Sequence, residues 1–131
     1  MGVINSIEYV TIATAGNATD FGDLTNSRRS VAGLSNTTRG VFGGGVISSG
    51  TNTIDYVTIQ TTGNATDFGD LTVASGRGGN SGDASRGLFH GWFNNTSGDV
   101  IDYITIANAG NATDFGNLTA AREHSGGTSG T

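Results

Sequence analysis

The sequence contains no cysteine and no proline, and only 13% of its 131 residues are charged. Without cysteine there is no disulfide framework, no thiolate zinc site and no cysteine nucleophile. No apolar run approaches the roughly 18 residues of a membrane-spanning helix, so no helical span is expected. The opening Met1-Gly2-Val3-Ile4-Asn5 lacks the basic and apolar regions of a secretory signal. Ser6 follows Gly2 at the spacing of a myristoylation site, but neither a polybasic stretch nor a second anchor supports a lipid. Lys+Arg 6 against Asp+Glu 11 gives a net charge of -5, and Arg28-Arg29 is a lone basic pair. Phosphate binding needs concentrated positive charge, so nucleic acid is not an expected partner. Hydrophobic residues make up 34%, below the usual globular share of about 45–50%. A single domain with a thin core follows.

Against these absences stand 23 glycines and an internal repeat. Ile7-Glu8-Tyr9-Val10-Thr11-Ile12 recurs as Ile54-Asp55-Tyr56-Val57-Thr58-Ile59 and as Ile101-Asp102-Tyr103-Ile104-Thr105-Ile106, each 47 residues after the last (54 − 7, 101 − 54). The block Gly16-Asn17-Ala18-Thr19-Asp20-Phe21-Gly22-Asp23-Leu24-Thr25 follows each copy without insertion, with Asn117 replacing an Asp in the third. The rest of the unit occurs twice, Arg39-Gly40-Val41-Phe42-Gly43-Gly44 aligning with Arg86-Gly87-Leu88-Phe89-His90-Gly91. A period of about 40–50 residues is that of propeller blades. Residues 1–131 are therefore one repeat domain, with units starting near 7, 54 and 101 and the last one truncated.

Each unit reads as four short antiparallel strands and no helix. Ile7 to Ile12 alternates, with Ile7, Tyr9 and Thr11 on one face and Glu8, Val10 and Ile12 on the other, and is rich in β-branched and aromatic types, which makes it strand C. Strand D spans Thr19 to Leu24, reached through Gly16-Asn17, residue types that tolerate the positive φ of tight hairpins. Strand A is the weaker Ser30 to Leu34, matched by Gly78 to Gly82, and strand B is Arg39 to Gly44. Glycine in A and B suits strands that converge on a channel too narrow for bulky side chains. Tyr9, Tyr56, Tyr103, Phe21, Phe68, Phe115, Gly43 and Gly44 recur with the repeat and are read as structural. Long 3.6-residue apolar stripes are missing, so the class is all-β.

Few residues carry chemistry. Asp20 and Asp23, repeated as Asp67 and Asp70, fall on opposite faces of a regular strand, poorly placed to share a proton. With Asn17 they offer hard oxygen ligands of the kind calcium takes, but the six or so ligands it needs are not visible, and turn aspartates bonding nearby backbone amides is the preferred reading. His90 and His124 occupy unrelated repeat positions and make no metal or catalytic site. His90, Trp92 and Phe93 form the one aromatic cluster added to the second repeat, a candidate glycan contact or, more simply, filler for space left by glycines. No Gly-x-Ser-x-Gly elbow or phosphate loop appears, no cofactor is implied, and no enzyme is expected. Arg28 is read as meeting solvent or a carboxylate between repeats.

Arg39-Gly40-Val41-Phe42-Gly43-Gly44, a strand running into paired glycines, followed by Tyr56 in the next strand, resembles the kelch-like β-propeller repeat. Together with Asp55-Tyr56-Val57-Thr58-Ile59 and the Gly-Asn-Ala-Thr-Asp-Phe-Gly-Asp-Leu-Thr block, it resembles the near-identical repeats of structural proteins from tailed phages, especially marine cyanobacterial ones. The kelch tryptophan after the tyrosine is absent. The resemblance implies a virion or extracellular location, a tail or fibre role without enzymatic activity, and partners among other virion proteins or cell-surface glycans. A lectin-like propeller is the alternative function. The copper chemistry of galactose-oxidase-type kelch enzymes needs a cysteine-linked tyrosine, which a chain without cysteine cannot form.

Closed propellers use about four to eight blades, and four at 47 residues exceed 131. Ring closure is therefore expected from obligate oligomerisation, as a head-to-tail cyclic dimer with six blades or with the chain as a fragment-like subunit of a larger assembly. In that ring each outer C-D pair receives a strand A from its partner's tail, Ala121 to Thr131, and lacks a strand B.

Overall fold

A computed structural model of the chain describes residues 2–74, 76, 78–91 and 98–129. Among them are ten strands and no helix: β1 (Ser6–Tyr9), β2 (Thr19–Asp23), β3 (Ala32–Ser35), β4 (Arg39–Gly43), β5 (Thr53–Thr58), β6 (Thr66–Asp70), β7 (Gly79–Gly82), β8 (Arg86–His90), β9 (Val100–Thr105) and β10 (Thr113–Asn117). They form three antiparallel sheets: the hairpin β1-β2 and two four-stranded meanders, β3-β4-β5-β6 and β7-β8-β9-β10. The A-B-C-D unit is thus present twice, and its C-D half once more at the head. β5 and β9 pair to their ends because Thr58 opposes Arg39 and Thr105 opposes Arg86. β1 has no strand on that side, so its ladder stops at Tyr9 rather than reaching Ile12.

Every C-D pair is bulged at the same place. Ile7 opposes Gly22 and Glu8 opposes Asp20, which leaves Phe21 as the extra residue. Phe68 and Phe115 are left over in the same way. The following glycines, Gly22, Gly69 and Gly116, take φ of 146°, 143° and 142°, a conformation that side chains disfavour. Each bulged Phe meets the Tyr of its own strand C edge-on, with ring centroids 5.9 Å apart for Tyr9 and Phe21, 5.8 Å for Tyr56 and Phe68, and 6.0 Å for Tyr103 and Phe115. The bulge also overturns the expectation for the paired aspartates. Asp20 opposes Glu8 and Asp23 opposes Ser6, so both share one face of the hairpin.

The two four-stranded sheets bury a common core, with Ala32, Val41, Ile54, Phe68 and Leu71 on one side and Phe89, Ile104 and Ile106 on the other. Gly43 and Gly87 belong to this contact. A Cβ on Gly43 would stand 2.6 Å from Phe89 Cε1, and one on Gly87 would stand 2.5 Å from Leu34 Cδ2. These strand-B glycines make room for a large side chain of the neighbouring sheet, not for a channel. β3 lies beside β7, where Asn80 Nδ2 donates to the carbonyl of Gly33.

Two further expectations are corrected. The segment from β1 to β2 is no tight hairpin but a nine-residue loop, Val10 to Ala18, with a turn closed from Thr14 N to Thr11 O at 3.1 Å. Neither Asn17 nor its equivalents Asn64 and Asn111 takes a positive φ. Residues 121–129 form no strand. They nevertheless lie where another strand A would, with Ser125 against Gly79 and Gly127 against Asn80.

Candidate inter-repeat interface

The residues that repeat most faithfully meet where one repeat joins the next. The loop between β5 and β6 reaches back to β2. Gly63 N donates to Phe21 O at 2.7 Å, Ala65 N donates to Asp23 O at 2.8 Å, and Asn64 Oδ1 accepts from Asp23 N at 3.0 Å. One repeat later, Ala112 N donates to Asp70 O at 2.8 Å and Asn111 Oδ1 accepts from Asp70 N at 3.0 Å. The approach is close because Gly22 and Gly69 carry no Cβ. One placed there would collide with the carbonyls of Gly63 and Gly110. Asn64 and Asn111 are therefore docking residues between repeats.

A buried carboxylate lies next to each junction. Asp55 on β5 is fully buried and accepts from Thr25 N at 3.1 Å, Thr25 Oγ1 at 2.7 Å and Arg28 Nη1 at 2.8 Å. Arg28, itself buried, also donates from Nε to Gly44 O at 2.8 Å and from Nη2 to Phe42 O at 3.3 Å. Asp102 on β9, equally buried, accepts from Thr72 N at 2.8 Å and Thr72 Oγ1 at 2.6 Å. Burial holds the Asp102 carboxyl above its ordinary range, against the Thr72 hydrogen bonds that pull it down, and the charge of Asp114 opposite adds to the rise. Asp55 and Asp102 drew no role from the sequence. The signal was present, a Thr 30 residues before each Asp, but it connects a residue just after strand D of one repeat with strand C of the next. Of the two readings for Arg28, the carboxylate between repeats is the one observed.

The aspartates singled out as calcium candidates lie on strands, not in turns, and Asp20, Asp67 and Asp70 are exposed. Among the described residues no three His, Asp or Glu side chains gather as a metal site would require. An aspartate that does cap turn amides is Asp83, whose Oδ1 accepts from Ser85 N and Arg86 N at 2.7 Å each. Those two amides hold its carboxyl below the usual range. Asn36 does the same one repeat earlier, for Thr38 N and Arg39 N. Asp83 also lines a groove of about 570 Å³ with Leu34, Asn80 and Ile106, and among the described residues no second carboxylate or imidazole joins it there.

His90 is buried at the end of β8, its Nδ1 3.1 Å from Ser125 Oγ. Burial lowers its pKa. Trp92 and Phe93, its companions in the glycan reading, lie outside the described residues. His124 stands elsewhere, exposed beside Glu123 at 3.6 Å. Compared with known protein families and with characterised proteins, the chain matches no family model and no individual sequence.

Proposed function

We propose that the chain is a non-enzymatic structural and interaction module, its four-stranded sheets serving as blades of a kelch-like β-propeller whose ring is completed by a second chain. The observation that carries this reading is the repeated junction. The same amide, Asn and Thr-to-Asp contacts join the first repeat to the second and the second to the third. A junction that repeats its geometry turns each sheet by the same step, and a succession of equal turns closes into a ring or winds into a filament. Antiparallel sheets of four strands in A-B-C-D order, packed face to face with the first strands side by side, are the form a blade takes. The resemblance of the repeats to phage structural proteins supports placement in a virion, in a tail or fibre. There the repeated loops would multiply weak contacts to another virion protein or to a surface glycan.

Negative-stain electron microscopy of the purified protein tests the architecture. The expected class averages are rings with a central channel and six radial lobes. Irregular or rod-shaped particles of unjoined sheets would refute it.

A further inference from the structure

The two faces that make the internal junction recur, unmatched within the chain, at its two ends. The tail face is β10 and the outer side of the third sheet. Phe115 is 53% exposed, whereas its equivalent Phe68, covered by the next repeat, is 2% exposed. No heavy atom approaches the place where a Cβ of Gly116 would stand, although at Gly22 and Gly69 the same place is blocked by the following repeat. The head face is β1 and its loop. Val10 is 54% exposed and Ile12 98%, whereas their equivalents Ile104 and Ile106, packed against the preceding sheet, stand at 2% and 0%.

Charge matches across these faces. Glu8 is exposed at the position of the buried Asp55 and Asp102. Arg122 is exposed at the position of Arg28, which binds Asp55. The middle repeat has Ser75 there, so the arginine returns in the repeat whose junction face is open.

From these matched faces we infer that a second copy of this chain docks its β1–β2 hairpin on β10 and residues 118–122, reproducing the internal junction between molecules. Asn17 Oδ1 accepts from Asn117 N, and Ala18 N donates to Asn117 O. Thr119 and Arg122 bind the Glu8 carboxylate, and Val10 and Ile12 cover the outer side of the third sheet. The contact uses only elements that both copies possess, and it needs no strand B in the head hairpin. Arg28 is additionally held by the strand-B carbonyls of Phe42 and Gly44, which have no counterpart at the head of the chain. The intermolecular ion pair is therefore wetter than the internal one and weakens with salt. The inference rests on reading the chain as a self-assembling module, and it specifies the faces.

Charge exchange followed by sedimentation tests it. The wild type is expected to sediment above 13.2 kDa, and Arg122→Glu and Glu8→Arg are each expected to sediment as monomers with unchanged far-ultraviolet circular dichroism. Mixing the two variants in equal amounts restores assembly, because each mixed junction again pairs opposite charges. Ile12→Asp changes a side chain that packs on nothing in its own chain, and it should dissociate the assembly without touching the fold. If the wild type assembles but these variants keep its mass, or if mixing fails to restore it, the head-to-tail junction is wrong while self-assembly stands. A wild type that remains monomeric at every concentration removes both.

Discussion

Thr25 and Asp55 are joined by two hydrogen bonds, from the threonine amide at 3.1 Å and from its hydroxyl at 2.7 Å, across the boundary between two repeats. Thr72 and Asp102 repeat the pair at 2.8 Å and 2.6 Å. A carboxylate that has lost its water needs these donors. Removing one leaves the full cost of an unmet buried acceptor. Thr72→Val keeps the shape of the side chain and deletes the hydroxyl donor. It should cost about 1–3 kcal/mol, read as a lower urea midpoint at unchanged slope. An unchanged midpoint would mean that the hydroxyl bond contributes nothing net.

Arg28 fastens the hairpin β1-β2 to the second sheet through Asp55, with both side chains buried. Arg28→Met strands that carboxylate and should destabilise the junction by about 3–5 kcal/mol. Adding Asp55→Asn should recover part of the loss, because no uncompensated charge then remains. Hydrogen exchange should show the β1 and β2 amides losing protection before those of β3 to β10. Uniform loss of protection would place the ion pair's effect elsewhere.

Gly43 leaves the space that Phe89 fills. Gly43→Ala forces its methyl group to within 2.6 Å of the ring, an overpacking expected to cost about 1–3 kcal/mol. Gly16→Ala, where no atom lies within 4 Å, should change stability by less than about 0.5 kcal/mol. Thermal unfolding of the two variants side by side checks the contrast.

His90 makes the fold sensitive to acid. In the unfolded chain its imidazole takes a proton near 6.5, whereas burial delays protonation in the folded state to lower pH. Between those two values the unfolded chain holds more protons, so stability falls as pH drops below 6.5, and it levels off once the folded histidine also protonates. His90→Gln should flatten that decline in denaturation midpoints measured from pH 7.5 to 5. An identical slope in the variant would assign the decline to other groups.

Strand order and the all-β class were legible because alternation in Ile54 to Ile59 and paired glycines after Phe42 are local signals. The bulge at Phe21 was not, since a Phe-Gly pair reads the same in a regular strand and only the partner's register reveals the extra residue. Asn17 and its equivalents looked like turn chemistry, yet Asn64 and Asn111 serve as acceptors for a strand 41 residues away in sequence. Asp55 and Asp102 were hidden for the same reason. Their burial depends on the neighbouring repeat, a relation that period alone does not contain. The glycan reading of His90, Trp92 and Phe93 came from neighbours in sequence, whereas the contact of His90 with Ser125 joins residues 35 apart.

Absolute mass in solution, by light scattering coupled to size exclusion at two protein concentrations, tests the central claim most directly. The account predicts a discrete species at twice 13.2 kDa that does not change over a tenfold dilution. A folded monomer at both concentrations would contradict it.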